Sequence, residues 1–212
     1  MGEYGIIKKQ GRFLSSRFLK GYYKKVGQAI PAKTPEYPRL GQVFPSLCYN
    51  FAMEIITVSL EKPEGTNLIL GQTHFIKTAE DLYETIVTSV PQAKFGVAFT
   101  EASGPCLIRT EGNDQTLIDL CVKNLQAIGA GHVFCIILKD AFPINVLNRI
   151  KECPEVCNIF CATANPVEAV VAKNDMGGGV LGVIDGYAPK GVETGEDKLK
   201  RKEFLRKIGY KL

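Results

Sequence analysis

From residue 53 onward, short apolar runs and amphipathic segments alternate along the chain, with turn residues between them. Ile56, Val58 and Leu60 alternate with polar residues, which is the spacing of a half-buried strand. Val133–Leu138 is a continuous apolar run and predicts a central strand. The same criteria predict further strands at Asn67–Leu70, Phe95–Ala102, Pro105–Thr110, Asn158–Ala162, Val167–Ala172 and Val180–Ile184.

Four segments have the spacing and the end signals of helices. The first begins at Thr78-Ala79-Glu80-Asp81, which resembles a capping box, and ends before Pro91. The others run from Asn113 or Asp114 to Gly129, over Ile144–Lys151 after Pro143, and from a second capping box at Thr194-Gly195-Glu196-Asp197 to Gly209. The pattern predicts one compact α/β or α+β domain over residues 53–212, with a mixed sheet of about eight strands and about four helices.

Residues 1–52 differ from the rest of the chain. They hold nine Lys and Arg against two acidic residues, and because the whole chain has a net charge of +4, the remainder is mildly acidic. Four prolines and the lack of a sustained hydrophobic period predict a disordered segment. Three interpretations are open: a start codon placed too early, or a leader, with Met53 as the alternative start; a basic arm for nucleic acid or another acidic partner; and an organelle transit peptide.

Composition narrows the class of protein. The chain has 212 residues, of which 45% are hydrophobic and 23% charged, and no apolar run approaches the about 20 residues that span a membrane. Its seven cysteines are odd in number and mostly lie in apolar runs, which argues against a disulfide framework and favours the cytoplasm. Cys153, Cys157 and Cys161 are evenly spaced, but without a CxxC pair or a nearby histidine we expect core packing and no metal site.

One of only two histidines lies in Gly71-Gln72-Thr73-His74-Phe75-Ile76-Lys77-Thr78, between a predicted strand and a predicted helix. The first backbone N–H groups of a helix are unpaired and carry a partial positive charge, so anions bind there. Histidine titrates near neutral pH and can act as a nucleophile. This segment therefore predicts a small-molecule site that handles phosphate.

A glycine run at Gly177-Gly178-Gly179-Val180-Leu181-Gly182 matches the dinucleotide-binding pattern G-x-G-x-x-G. That fingerprint needs a strand before the glycines and a helix after them, whereas strand-like runs lie on both sides here. We therefore predict a tight hairpin, with a phosphate-covering hairpin as the alternative. The chain also lacks the G-x-x-x-x-G-K-[ST] phosphate loop.

Polar side chains also gather at four other turns, each following a predicted strand. In α/β folds, ligands bind at the ends of strands, so these turns are expected to contribute to a shared site. They contain Glu101, Ser103 and Gly104; Arg109; Asp140 and Asn145; and Asn165. His132 ends a helix-to-strand turn, Gly129-Ala130-Gly131-His132, and is expected at the opposite end of the sheet from His74. We predict a structural role for His132, with a contribution to the site across a subunit interface as the alternative.

Several of these segments together resemble the adenosine-specific kinase family, small cytoplasmic proteins of archaea and bacteria. The resemblance covers Met53 to Leu212 and leaves residues 1–52 outside it. It rests on the His74 segment quoted above, Phe99-Thr100-Glu101-Ala102-Ser103-Gly104, Gly129-Ala130-Gly131-His132, Ala141-Phe142-Pro143-Ile144-Asn145-Val146-Leu147-Asn148, Ala162-Thr163-Ala164-Asn165-Pro166 and Glu203-Phe204-Leu205-Arg206-Lys207-Ile208-Gly209-Tyr210.

The resemblance implies binding of adenosine or AMP, phosphoryl transfer from ATP with Mg²⁺, and a histidine that carries phosphate. His74 is preferred over His132, because phosphate there would face a helix N-terminus and the Lys77 ammonium. Glu101 and Asp140 are candidates for binding Mg²⁺ or for activating the ribose hydroxyl, and Asn145 and Asn165 for pairing with adenine. The predicted catalytic residues are His74, His132, Lys77 and Glu101, and the predicted nucleotide-binding residues are Gln72, Thr78, Ser103, Gly104, Arg109, Gly131, Asp140, Asn145 and Asn165.

Two functions are therefore weighed for the domain. The first is a kinase that converts adenosine to AMP, directly or through phosphohistidine. The second is a protein that binds or senses AMP without significant turnover. We expect no membrane partner, nucleic-acid binding only through residues 1–52, and a homo-oligomer.

Overall fold

The computed structural model describes residues 53–212, and the predictions made for residues 1–52 lie outside this part. The strands are β1 Glu54–Leu60, β2 Asn67–Thr73, β3 Lys94–Thr100, β4 Ile108–Gly112, β5 Val133–Lys139, β6 Val156–Thr163, β7 Val167–Asn174 and β8 Gly177–Asp185. The helices are α1 Thr78–Ser89, α2 Gln115–Ile128, α3 Pro143–Glu152 and α4 Gly195–Lys207.

The strands form two antiparallel sheets. One has the order β4-β3-β5-β2-β6 and the other β1-β7-β8, so β5 is central as predicted. The predicted α/β domain with eight strands and four helices is confirmed. The prediction of one mixed sheet is wrong, because every pairing between these strands is antiparallel. Within residues 53–212, parallel pairing is limited to an isolated bridge between Ala130 and Gly178.

The strand–helix–strand pattern misled the prediction because each of the helices α1, α2 and α3 connects two strands that run in the same direction but are not neighbours. Helix α1 joins β2 to β3, and β5 lies between them. Helix α2 joins β4 to β5 across β3, and α3 joins β5 to β6 across β2. In each unit an antiparallel strand fills the gap, which is a split β-α-β arrangement.

Each face of the five-stranded sheet is covered by a different layer. On one face, helices α1 and α3 pack on Phe134 and its neighbours through Leu82, Ile86, Val146 and Ile150. On the other face, α2 and the three-stranded sheet share a second core, which contains Leu70, Leu117, Leu125, Cys135, Val167 and Val171. Helix α4 buries none of its residues.

Among the strand boundaries that differ from the predicted ones, three affect candidate site residues or the glycine run. Strand β2 continues to Thr73, so Gly71 and Gln72 belong to the strand rather than to the turn before α1. Strand β4 begins at Ile108, because residues 101–107 form a loop. Strand β8 begins with the glycine run, at Gly177, and pairs with β7 as the predicted hairpin.

The helix ends confirm most of the predicted caps. Asp114 caps α2, Gly129 ends it with a φ of 63°, and Thr194 and Asp197 form a capping box on α4. The capping box predicted at Thr78 is wrong, since the N-cap is Lys77 and the Thr78 hydroxyl donates instead to the Phe75 carbonyl.

The six cysteines in the described residues are all free thiols. Cys121, Cys135, Cys153 and Cys161 are buried, as core packing predicts, whereas Cys157 is exposed because β6 directs it outward. None of the helices over residues 53–212 has the length and apolar character needed to cross a membrane.

Candidate functional site

The antiparallel pairing of β2 with β5 brings the two histidines to the same end of the five-stranded sheet. Strand β2 ends where β5 begins, and the Thr73 N–H donates to the His132 carbonyl over 3.0 Å. The expectation that His132 lies opposite His74 is therefore wrong, because it assumed parallel strands. We call this the histidine end: the place where β2 and β3 end and β5 and β6 begin.

His132 is held rigidly at this end. Its backbone has a left-handed φ of 58°, and its N–H donates to the Thr100 carbonyl over 2.8 Å. Its ring stacks on Phe99, with 6.1 Å between centroids and 14° between planes. His132 is half-buried, so its imidazole stays in one place but keeps contact with solvent.

His74 is exposed and lies in the turn between β2 and α1, which we call the His74 turn (residues 74–77). Its N–H donates to the Glu155 carbonyl over 3.1 Å, and the Thr73 hydroxyl donates to the same carbonyl over 2.9 Å. Thr78, predicted to bind nucleotide, is fully buried, and its hydroxyl bonds to Phe75 and Thr73. Thr78 therefore fixes the turn from inside.

Lys77 forms an ion pair with Asp81, one turn along α1. The hydrogen bond to Asp81 raises the pKa of the Lys77 ammonium, and the nearby Glu155 carboxyl adds to this effect. Lys77 is thus a cation at neutral pH, and Asp81 holds it in this structure.

Glu101 follows β3 and pairs with Arg109 at the start of β4, with 2.9 Å between Arg109 Nη2 and Glu101 Oε1. The Leu107 N–H also donates to this carboxylate, over 3.1 Å. Burial alone would raise the pKa of Glu101, but these two hydrogen bonds and the guanidinium charge outweigh it and lower the pKa below its usual value. Ser103 and Gly104 lie in the exposed loop beside this pair.

A cleft of about 730 Å³ opens at the histidine end, between the five-stranded sheet and the start of β8. At two glycines beside this cleft, the main chain packs so closely on its neighbours that a side chain would not fit. A Cβ on Gly131 would lie 2.6 Å from the Ala102 Cβ, and one on Gly178 would lie 2.8 Å from the Gly129 carbonyl oxygen. The lining includes Thr100, Glu101, Ala102, Gly131, Lys173 and Gly177 to Gly179.

Three of the predicted site residues lie at the opposite end of the sheet, where β5 and β6 end. Asp140 follows β5, the Asn145 Oδ1 accepts from the Phe142 N–H over 2.9 Å, and the Asn165 Nδ2 donates to Asp185 over 3.0 Å. The seven residues of β5 separate the two ends by about 20 Å. The expectation that the four polar turns contribute to one shared site is therefore wrong, because they lie at two ends of the sheet, although the role of each residue stays a prediction. Gln72 is exposed on β2 near the histidine end.

The described residues do not fit a pre-formed Mg²⁺ site. Glu101 and Asp140 lie at opposite ends of the sheet, and Glu101 is already paired with Arg109. Within residues 53–212, no three His, Cys, Asp or Glu side chains are placed to hold a metal ion together.

The structure places three residues at or beside the histidine end that the sequence did not indicate as site candidates: Phe99, Glu155 and Lys173. Glu155 contacts Thr73, which is 82 positions away in the chain, so no local pattern could indicate the contact. Lys173 lies in an unremarkable strand, and only the β7–β8 hairpin places it beside the cleft.

The comparisons with known proteins agree with this fold. The crystal structure of the PH1918 protein from Pyrococcus horikoshii OT3 is similar, with 47% sequence identity and a TM-score of 0.72, over 76% of this chain and 99% of that chain. A comparison with curated proteins found none that matches. The family described as adenosine specific kinase matches residues 58–211. The chain therefore belongs to the adenosine-specific kinase family.

Proposed function

We propose that the protein transfers phosphate from a nucleotide donor to adenosine, giving AMP, with a histidine as the phosphate carrier. The family supports a kinase that acts on adenosine. The observation that carries the proposal is the pairing of Thr73 with His132, because it brings both histidines to the end of the sheet where β3 leads into Glu101. A nucleophile, a carboxylate and a guanidinium at one end of a sheet are suited to phosphoryl transfer.

Adenosine is proposed to bind in the cleft of about 730 Å³. Gly131 and the glycines of β8 present main chain without side chains, which allows a flat ring to approach closely. Glu101 lines this cleft and is ionised, so it can accept a hydrogen bond from the ribose hydroxyl and orient it. Arg109 keeps the carboxylate in place.

His74 is the proposed carrier, because its imidazole is exposed and it precedes the N-terminus of α1. A ring nitrogen attacks the γ-phosphorus of ATP, forming an N–P bond as the P–O bond to ADP breaks. The adenosine hydroxyl then attacks phosphorus, the N–P bond breaks, and the hydroxyl proton passes to Glu101 or water. The partial positive charge of the helix N-terminus favours the phosphorylated state. We propose that Mg²⁺ enters bound to the donor, whose phosphates and waters supply most of its ligands.

The test uses γ-labelled ATP, Mg²⁺ and adenosine with the full chain, His74→Ala and His132→Ala. We expect labelled AMP from the wild type, and acid-labile label on the protein that disappears in His74→Ala but persists in His132→Ala. Gln115→Ala is the matched control, because Gln115 is exposed at the start of α2, at the opposite end of the sheet, and is not a predicted site residue. Absence of labelled AMP in every sample, despite AMP binding, would refute the kinase.

The second candidate is a protein that binds or senses AMP without significant turnover. It is favoured by the lining of the cleft of about 730 Å³, which includes Glu101 but neither His74 nor His132. Calorimetric titration with AMP, combined with the labelled-ATP assay, separates the two candidates, since a sensor binds AMP in the titration but forms no labelled AMP in the assay.

A homo-oligomer remains part of the proposal. Leu199 and Phe204 of α4 are 61% and 58% exposed, and large apolar residues at such exposure are suited to contact with a second copy of the chain. Sedimentation of the wild type is expected to give a mass above that of one chain, and Phe204→Glu to lower it. A monomer at all concentrations would exclude the assembly.

A separate test applies to the basic residues 1–52. If they bind nucleic acid, their deletion is expected to abolish salt-sensitive RNA binding by the chain.

A further inference from the structure

Glu155 is a buried acidic residue that the proposed reaction does not use. Only 2% of its surface is exposed, and within residues 53–212 neither of its carboxyl oxygens has a hydrogen-bond partner. Burying a polar group without a partner is unfavourable, and burying a charge more so. A residue kept in such a position is a candidate for a functional role.

The main chain of Glu155 is the anchor of the His74 turn. Its carbonyl accepts from the His74 N–H over 3.1 Å and from the Thr73 hydroxyl over 2.9 Å. The Thr73 hydroxyl in turn lies 2.6 Å from the Thr78 hydroxyl, at the start of α1. A displacement of Glu155 therefore reaches His74 and α1 through direct hydrogen bonds.

Charged and titratable groups lie near the side chain of Glu155, and Arg149 and Glu152 of α3 line the same cleft as these groups. Asp81 lies on α1, Lys77 lies in the His74 turn and is paired with Asp81, and the Cys153 thiol lies just before Glu155 in the chain. Burial is the largest cause that raises the pKa of Glu155, and the Asp81 carboxyl raises it further, whereas the main chain of Glu155 itself and the Lys77 ammonium partly offset this. Two carboxyls thus lie near one ammonium, which pairs with Asp81, and the buried, unpaired carboxyl is the one that tends to hold a proton.

We propose that Glu155 is a positioning residue for the His74 turn, and that gain or loss of a proton at its carboxyl moves this turn. When Glu155 is protonated, Asp81 alone holds Lys77. When Glu155 ionises, it competes for the same ammonium and repels Asp81, which separates the start of α1 from residue 155. A phosphate at His74 that draws Lys77 away leaves the two carboxyls without a cation, and they then take up one proton from water. The last step rests on the proposed function, whereas the movement of the turn does not.

The test is a pH titration of the full, ¹⁵N-labelled chain, followed by NMR without any substrate. The chain has only two histidines, so the imidazole titration of His74 can be followed separately and compared with its backbone N–H signal. We expect the His74 N–H to show a second inflection, above the range in which exposed glutamates lose their proton. Glu155→Gln should abolish this inflection, and Asp81→Asn should move it to lower pH while leaving the fold intact.

Glu152→Gln is the matched control, because Glu152 is an exposed carboxyl three positions away and should leave the inflection unchanged. The proposal is overturned if the second inflection is missing in the wild type, or if it persists in Glu155→Gln. A kinase assay on the same variants distinguishes the two proposals. Loss of the second inflection in Glu155→Gln, in a protein that forms no AMP, would support the positioning role and contradict only the proposed reaction.

Discussion

At the scale of single residues, the charge on Glu101 depends on Arg109. We expect Arg109→Gln to raise the pH at which Glu101 titrates, because the variant removes a hydrogen bond and a positive charge from the carboxylate. A lowered pKa stabilises the folded state above the pKa of the unfolded chain, and this contribution is lost as the pH falls through the folded pKa. The stability difference between the two proteins should therefore be present at neutral pH and vanish in acid.

Carbon-13 NMR of the glutamate carboxyls, with unfolding measured in parallel, checks this expectation. Arg201→Gln is the control, because Arg201 pairs with Glu193 beside α4 and should leave the titration of Glu101 unchanged. An unaltered Glu101 midpoint in Arg109→Gln would show that the pair does not control the carboxylate.

The buried carboxyl of Glu155 makes a separate stability prediction. Because the folded pKa of Glu155 is raised, ionisation opposes folding as the pH rises above the unfolded pKa. Glu155→Gln should therefore be more stable than the wild type by about 1 kcal/mol at pH 8 and equal to it in acid. Urea unfolding at pH 8 and in acid measures this difference in stability. A variant that is less stable than the wild type at pH 8 would contradict the prediction that ionisation of Glu155 opposes folding.

At the scale of elements, the start of β8 packs directly against the end of α2. The Gly178 N–H donates to the Gly129 carbonyl over 3.0 Å, and a Cβ on Gly178 would lie 2.8 Å from that carbonyl oxygen. We expect Gly178→Ala to cost about 1–3 kcal/mol of stability, because the strand must move away from the helix. The neighbouring Gly179→Ala is the control, since no atom lies within 4 Å of its added Cβ. Equal unfolding midpoints for the two variants would contradict this packing.

Helix α4 offers the opposite case, in which an element can be lost without affecting the core. Its capping box joins Thr194 and Asp197, and none of its residues is buried. Thr194→Ala should cost the helix about 1 kcal/mol and reduce the helical signal in circular dichroism. The main unfolding midpoint should stay the same, because no core contact is removed. A large fall in that midpoint would mean that α4 packs on a surface, as it would in an oligomer.

At the scale of the whole molecule, residues 53–212 contain both sheets and both cores. A chain limited to these residues is therefore expected to unfold in a single cooperative transition, as domains of this size usually do. Calorimetry checks this by comparing the calorimetric enthalpy of unfolding with the van't Hoff enthalpy, and the two should be equal for a single transition. Failure of the shortened chain to fold would show that residues 1–52 supply part of the stability.

Local patterns in the chain are enough to define the helices and strands of this protein. The number and type of the strands and helices, the central place of β5 and the caps at Asp114, Gly129 and Thr194 follow from hydrophobic spacing and from backbone chemistry within a few residues. The sequence also indicated His74, His132 and Glu101 as site candidates. Their chemistry is local, so a short segment is enough to identify it.

Which of these elements are neighbours depends on the tertiary structure. Each pair of strands that a helix connects has an antiparallel strand between its members. As a result, His132 lies beside His74 at one end of the five-stranded sheet, whereas Asp140, Asn145 and Asn165 lie at the other end. It also brings Glu155 under a turn that is distant in sequence. Strand order and direction are set by contacts between remote segments, whose free energy depends on the packing of the whole domain. Such contacts leave no periodic pattern in any one segment, so only the folded chain could show them.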